Sequence, residues 1–221
     1  VLFRSVIGLG KFGRAIAKTL YENGNVVLAL DSNEELVQKI LDEGIVEDAI
    51  TLNATDENAL KNIVKDSFDG AFVCIGNNIQ DSILVTLMLK ELKIKNIICK
   101  AETKIQGKVL EKLGADRVVY PEELIGEKIA YSVMRPSVIE YFKFSDEYSV
   151  VEIKVPKNFV GKTLVELNLR HRFSANVIAI KNIDKLNITP SPEYVFKESD
   201  TIIVLGKING MGELVKWKSM M

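Results

Sequence analysis

Residues 6–20 read VIGLGKFGRAIAKTL, an apolar run that ends in Gly8-x-Gly10-x-x-Gly13 and passes at once into a helical pattern with Ala15, Ile16 and Leu20 on one face. No other stretch constrains the fold as strongly. A strand that turns sharply into a helix opens a βαβ unit, and each glycine has a mechanical use there. Gly8 allows the tight turn, Gly10 has no Cβ to stand in the way of a phosphate, and Gly13 lets the helix lie close to the sheet. The N-terminus of that helix offers free N–H groups and a partial positive charge to phosphate oxygens. Asp31 ends the next apolar run, VVLALD, 18 positions after Gly13. An acidic side chain at that place accepts ribose hydroxyls and repels a 2′-phosphate. Lys11 and Phe12 lie inside the loop. The Lys11 ammonium suits a nucleoside di- or triphosphate at least as well as a dinucleotide. Glycines that only ease packing, and a solvated Lys11, are the plain alternatives. Arg14 reads as a surface residue.

The alternation continues. Strand patterns SVIGLG, VVLALD, AITLN, GAFVCIG, NIICKA and RVVY are separated by helical patterns KFGRAIAKTLYENG, NEELVQKILDEG, DENALKNIV, IQDSILVTLMLKELK and KIQGKVLEKLG. Six strands with five intervening helices predict an α/β fold, a Rossmann-like doubly wound parallel sheet. EELIGEKIAYSVMRP follows as a further helix with Leu124, Ile125, Ile129, Val133 and Met134 apolar. It either covers the sheet edge or packs on a second copy of the chain. VIEYFKFSDEYSVVEIKVP then leads into a second region. There TLVELNLRHRF reads as one helix, NVIAIKN and TIIVLGK as strands, Pro190 and Pro192 as a turn, and Gly212–Lys218 as a last helix. Two domains are expected: residues 1–136, the nucleotide-binding part, and residues 137–221, a small α+β domain.

Composition excludes several classes. The first 136 residues hold 17 basic and 20 acidic side chains and the remainder 12 and 10, so neither part has the basic surplus of a nucleic-acid binder. No helix-turn-helix pattern is seen either, which argues against a redox-sensing transcription regulator. Cys74 and Cys99 form neither a CxxC pair nor a disulfide framework, as in a reduced cytosolic setting. No apolar run reaches the roughly 18–20 residues of a membrane span, and no signal peptide is read. The single histidine, His171, sits between Arg170 and Arg172 in the second region, and no catalytic triad or metal-ligand spacing can be assembled. The expectation is a nucleotide-binding protein that is not an enzyme. The alternative is an NAD-dependent oxidoreductase with an unidentified substrate.

Polar loops end the other strands, on the edge where open α/β sheets bind ligands. LNATDEN brings Asn53, Ala54, Thr55 and Asp56; GNNIQDS brings Gly76, Asn77 and Asn78; CKAET brings Lys100; YPEE brings Glu122. Asp56 and Asn78 also suit helix caps, and Lys100 and Glu122 also suit solvated strand ends.

VIGLGKFG, NATDEN, IGNNIQDSI, KAET, VLEKLGADRVVYPEE and FSDEYSVVEI stand in an order that resembles the cytosolic regulatory subunits of bacterial potassium-uptake systems of the Ktr/Trk type. Those subunits are built from an N-terminal and a C-terminal RCK domain (regulator of potassium conductance). The LRH helix and SPEYVFKESDTIIVLG resemble the C-terminal block, so the likeness covers nearly the whole chain. It implies dimers that assemble into an octameric ring beneath a membrane-embedded potassium-translocating subunit, at the inner face of the cell membrane. It implies ATP or ADP, in some relatives NAD or NADH, in the Rossmann crevice, with the bound nucleotide setting the shape of the ring. Residue by residue, Gly8, Gly10 and Gly13 match the glycine motif, Asp31 the ribose acid, Asn53, Thr55 and Asp56 the adenosine-side loop, and Asn78 and Lys100 phosphate-side positions. Lys11 stands where close relatives carry an arginine on the terminal phosphate; it keeps the charge and lacks the planar fork. Glu122 matches a carboxylate near a cation, Mg2+ or another, at the dimer interface. Arg170, Asn176 and Pro192 fall near a cyclic di-AMP site of related C-terminal domains.

Overall fold

The computed structural model describes residues 2–64, 68–76, 78–135, 137–183, 185–210 and 214. The chain divides into two compact units, Val1–Glu123 and Leu124–Met221. The division falls inside a helix, whereas the sequence pattern suggests a boundary after residue 136, which itself lies outside the described residues.

The first unit alternates β1 (Phe3–Ile7), α1 (Lys11–Glu22), β2 (Val26–Asp31), α2 (Glu34–Asp42), β3 (Asp48–Thr51), α3 (Glu57–Ile63), β4 (Gly70–Val73), α4 (Ile79–Glu91), β5 (Ile97–Lys100), α5 (Lys104–Leu113) and β6 (Arg117–Val119). The strands form one parallel sheet in the order β3-β2-β1-β4-β5-β6. The pleat sends neighbouring residues to opposite faces. Val6 and Ala29 therefore pack with Ala17, Val37 and Ile40 of α1 and α2, while Ile7 and Leu30 pack with Leu60, Leu89 and Leu110 of α3, α4 and α5. Burial on both faces explains the short continuous apolar runs. The strand order reverses direction between β1 and β4, and this is where such sheets open a crevice at their carboxyl ends.

Helix starts in this unit follow one rule with one exception. Asn33, Asp56, Asn78 and Thr103 each accept backbone N–H groups at the N-termini of α2, α3, α4 and α5. α1 begins at Gly10, which offers no capping side chain. Among the described residues no side chain caps its first N–H groups, which leaves them available to a ligand.

α6 (Pro121–Met134) follows β6 and carries the division between the units. None of its residues is buried. Leu124, Ile125, Ile129, Val133 and Met134 are 55–74% exposed, so the expected apolar face is present and uncovered. No helix among the described residues is long and apolar enough to cross a membrane.

The second unit is an antiparallel sheet of β7 (Val138–Lys143), β8 (Tyr148–Lys154), β9 (Ala175–Asn182), β10 (Lys185–Asn187) and β11 (Asp200–Lys207) in the order β10-β9-β11-β8-β7. Two of these strands, β9 and β11, are the ones the sequence pattern predicts. One sheet face is covered by Phe159, Phe196, Leu167, Leu169 and Phe173. TLVELNLRHRF corrects the expectation of a single helix: it forms α7 (Leu164–Leu167) and α8 (Leu169–Phe173), broken at Asn168, whose φ of 42° is left-handed. On one straight helix, residues two apart point to nearly opposite sides. The break lets Leu167 and Leu169, 1% and 3% exposed, enter the same core. A reciprocal capping box between Thr163 and Glu166 starts α7. Pro192 lies in a turn that Tyr194 closes by donating its N–H to the Ser191 carbonyl at 3.0 Å. The expected last helix, Gly212–Lys218, lies outside the described residues apart from Leu214, which is buried.

Candidate functional site

A cleft of about 520 Å3 opens at the carboxyl ends of the first unit's strands. The structure brings Gly8, Gly10, Lys11, Phe12, Asp31, Asn53, Ala54, Thr55, Gly76, Asn78, Lys100 and Glu122 to its walls. Gly13 and Asp56 do not line it; Asp56 caps α3 by accepting the Ala59 N–H at 3.0 Å. Asn77 lies outside the described residues. Ser32, Leu36, Leu52, Cys74, Ile75 and Asp81 also line the cleft and carry no sequence motif of their own. Leu36 and Leu52 are partly buried beside Asn53 and Thr55, giving an apolar wall suited to a flat base.

The three glycines divide the work. Gly8 has a φ of +96°, and a Cβ there would stand 2.9 Å from the Cys74 carbonyl carbon. Gly10 has an ordinary φ of −61° and its Cβ would meet nothing within 4 Å, because that direction is open space. Gly13 is a packing position: its Cβ would lie 1.8 Å from the Gly8 carbonyl oxygen. The start of α1 therefore sits directly on the turn.

Asp31 is a clamp as well as a candidate ligand. Leu9 N–H donates to its Oδ2 at 2.6 Å, and Asn33 N–H donates to its Oδ1 at 2.9 Å. The carboxylate thus ties the glycine loop to the end of β2, and each oxygen keeps a lone pair for a ribose hydroxyl. Asp31→Ala should weaken adenine-nucleotide binding by about 1.5–3 kcal/mol and also lower stability by about 1–2 kcal/mol, since two backbone donors lose a charged acceptor. Calorimetric titration and denaturant unfolding read the two losses separately. Unchanged affinity removes the ribose role, and unchanged stability removes the clamp.

Lys100 and Glu122, which the sequence allows as solvated ends, form an ion pair instead, with Nζ 2.6 Å from Oε1. The Lys100 side chain is 12% exposed and that of Glu122 66%. The hydrogen bond from Lys100, and then Glu122's own backbone N–H, hold the Glu122 carboxyl below its ordinary value. The pair therefore persists above the ordinary glutamate value of 4.5 and is lost as pH falls through the lowered one. Arg14 pairs with Glu43 at the surface. Among the described residues Lys11 has no ion pair. Cys74 and Cys99 are free thiols, and burial pushes them up to about 12 and about 11, so neither is a nucleophile at neutral pH. No group of three ligating side chains stands together among the described residues. Glu122 is held by Lys100 and belongs to no such group among the described residues.

In the second unit, Arg170, Asn176 and Pro192 line one cavity of about 560 Å3 together with Leu164, Val165 and Pro190. Arg170 Nε donates to Asn176 Oδ1 at 2.7 Å. His171 is exposed on α8 and does not line this cavity.

The TrkA-N domain matches residues 5–121 and the TrkA-C domain residues 150–219. Ktr system potassium uptake protein A of Bacillus subtilis is 42% identical over 91% of this chain and 90% of its own length. Ktr system potassium uptake protein C of the same organism is 38% identical over 96% of this chain and 95% of its own. The RCK domain of GsuK, and the GsuK channel bound to NAD, each superpose with a TM-score of 0.67 at 18% identity over 97% of this chain. GsuK bound to ADP superposes over 61% of it with a TM-score of 0.50 at 17% identity. This chain spans 46%, 39% and 34% of those three chains, and the likeness shows the fold alone. A glycine-loop Rossmann unit followed by a small antiparallel unit, matched in that order at useful identity and nearly full length, places this chain in the family of TrkA-N/TrkA-C proteins that includes the Ktr system potassium uptake proteins A and C.

Proposed function

We propose that this chain is a nucleotide-sensing regulatory subunit of a potassium-transport system, controlling uptake without turning its ligand over. The observation that carries the reading is the uncapped start of α1 at Gly10, facing into a cleft whose other wall holds the Asp31 clamp. That arrangement binds a phosphate chain and a ribose. ATP, ADP, NAD and NADH all contain adenosine diphosphate, and the cleft suits that shared part. ATP adds a third phosphate, and the exposed Lys11 is a cation of the cleft lining without an ion pair among the described residues. The potassium-transport role is supported by the names of the Bacillus subtilis relatives, and the nucleotide by the NAD and ADP that GsuK binds. The absence of turnover is inferred from how Asp31, Lys100, Glu122 and Cys74, four of the titratable groups of the cleft, are used. Asp31 holds the loop, Lys100 and Glu122 hold each other, and the Cys74 thiol is kept neutral by burial.

The apolar face of α6 suits a second copy of the chain, and dimers built on it would assemble into an octameric ring against the membrane-embedded potassium-translocating subunit, on the cytoplasmic side. In the second unit, the cavity at Arg170, Asn176 and Pro192 suits cyclic di-AMP, since a guanidinium and an amide there can meet its phosphates.

A ligand works on a pore only if it prefers one shape of the ring. ATP and ADP should both bind and leave the assembly in different shapes, and Lys11→Ala should erase the difference while keeping most of the ADP affinity. Small-angle scattering of wild type and variant with each nucleotide reads this. Identical wild-type curves with ATP and ADP contradict the gating reading, and a monomer at micromolar concentration contradicts the assembly.

A further inference from the structure

We propose that Lys100 is a shared cation, held by Glu122 as the structure shows it and transferred to a nucleotide phosphate on binding, so that ligand charge is exchanged for the tether on the first turn of α6. The inference rests on the nucleotide reading of the cleft and deepens it. The two partners are unequal. The Lys100 side chain is 12% exposed, so a counter-charge beside its ammonium is worth more than it would be in open water. The Glu122 side chain is 66% exposed, so its carboxylate returns to water at little cost. A polyphosphate entering the cleft brings more negative charge than one carboxylate, and both residues line that cleft. The exchange is therefore downhill for Lys100 and nearly neutral for Glu122.

Geometry confines the exchange to these groups. The position where Gly76 would carry a Cβ is 3.1 Å from Lys100 Nζ and 3.2 Å from Glu102 Oε1. The bare backbone of Gly76 thus leaves room for the ammonium, and a second carboxylate stands near it. Yet the ion pair is made to Glu122. Glu122 lies in the first turn of α6, the helix on which Leu124, Ile125, Ile129, Val133 and Met134 are exposed. Glu123 on the same turn is ion-paired to Lys104, so losing the Lys100 bond removes one of two charged ties on the start of the helix, which connects ligand charge to it.

The test is calorimetric titration of the full chain with ADP and with adenosine, in wild type, Glu122→Gln, Glu102→Gln, Lys100→Met and the double variant Lys100→Met/Glu122→Gln. Glu122→Gln should tighten ADP by about three- to tenfold, because the competing counter-charge is gone, and leave adenosine unchanged. Glu102→Gln should leave both ligands within about twofold. In the Lys100→Met background the gain from Glu122→Gln should vanish. An equal gain in that background would mean simple repulsion between Glu122 and the phosphates and would overturn the exchange, as would an unchanged or weaker ADP affinity in Glu122→Gln. If wild type binds neither ADP nor adenosine, the nucleotide reading itself fails; if it binds both and Glu122→Gln changes nothing, the exchange alone fails.

Discussion

Gly10→Val should abolish nucleotide binding, by at least about a hundredfold, and leave stability within about 1 kcal/mol of wild type. The backbone at Gly10 is extended, with φ −61° and ψ −178°, a conformation valine adopts readily. A Cβ there meets nothing within 4 Å, so the folded chain has no neighbour to displace. The isopropyl group instead fills the space over the uncapped N–H groups of α1. A phosphate must come within about 3 Å of those donors to accept from them, and the valine methyls hold it away. Titration with ADP and denaturant unfolding of the same sample give the two readings. Normal ADP affinity in a folded Gly10→Val protein removes the glycine loop from the site.

Gly13→Ala should do the reverse, destabilising the first unit by about 3 kcal/mol or more, a fall of about 10 °C or more in Tm. The added methyl would lie 1.8 Å from the Gly8 carbonyl oxygen, a backbone atom that cannot swing aside. Either α1 moves off the sheet or the turn at Gly8 opens. Moving α1 strips Ala17 from its packing with Val6, Ala29 and Val37. Opening the turn breaks the 2.8 Å bond from Gly8 N–H to the Leu30 carbonyl. ADP affinity falls too, as a consequence of the moved loop. Thermal unfolding checks this, and wild-type Tm in Gly13→Ala would show that helix and turn are not in contact. The two substitutions lie three residues apart in one motif and separate binding from folding.

Much of the first unit was legible because buried parallel strands print as unbroken apolar runs and glycines punctuate the helices. The second unit was less so. β7 is an edge strand whose Ile139 and Phe142 face outward, 40% and 64% exposed, so its alternation does not mark an inside and an outside. The break at Asn168 was hidden by a sequence without glycine or proline; the spacing of Leu167 and Leu169, both wanted in one core, was the available signal. At the site, the motif named the loop and Asp31, but not that Asp31 holds Leu9 and Asn33, since local backbone geometry decides that. Lys100 and Glu122 are 22 residues apart, and their meeting depends on β5 lying beside β6 with Lys100 opposite Val119. Strand order, not composition, makes that pair. Leu36 and Leu52 were unremarkable as letters and became a cleft wall only through the sheet.

Adenine-nucleotide binding at the uncapped start of α1 is tested most directly by calorimetric titration of the purified chain with ATP, ADP, NAD and NADH, repeated on Gly10→Val. The expected result is saturable binding of ATP and ADP near one site per chain in wild type, and none in the folded variant. No binding of any of the four by folded wild type, or equal binding by Gly10→Val, would contradict it.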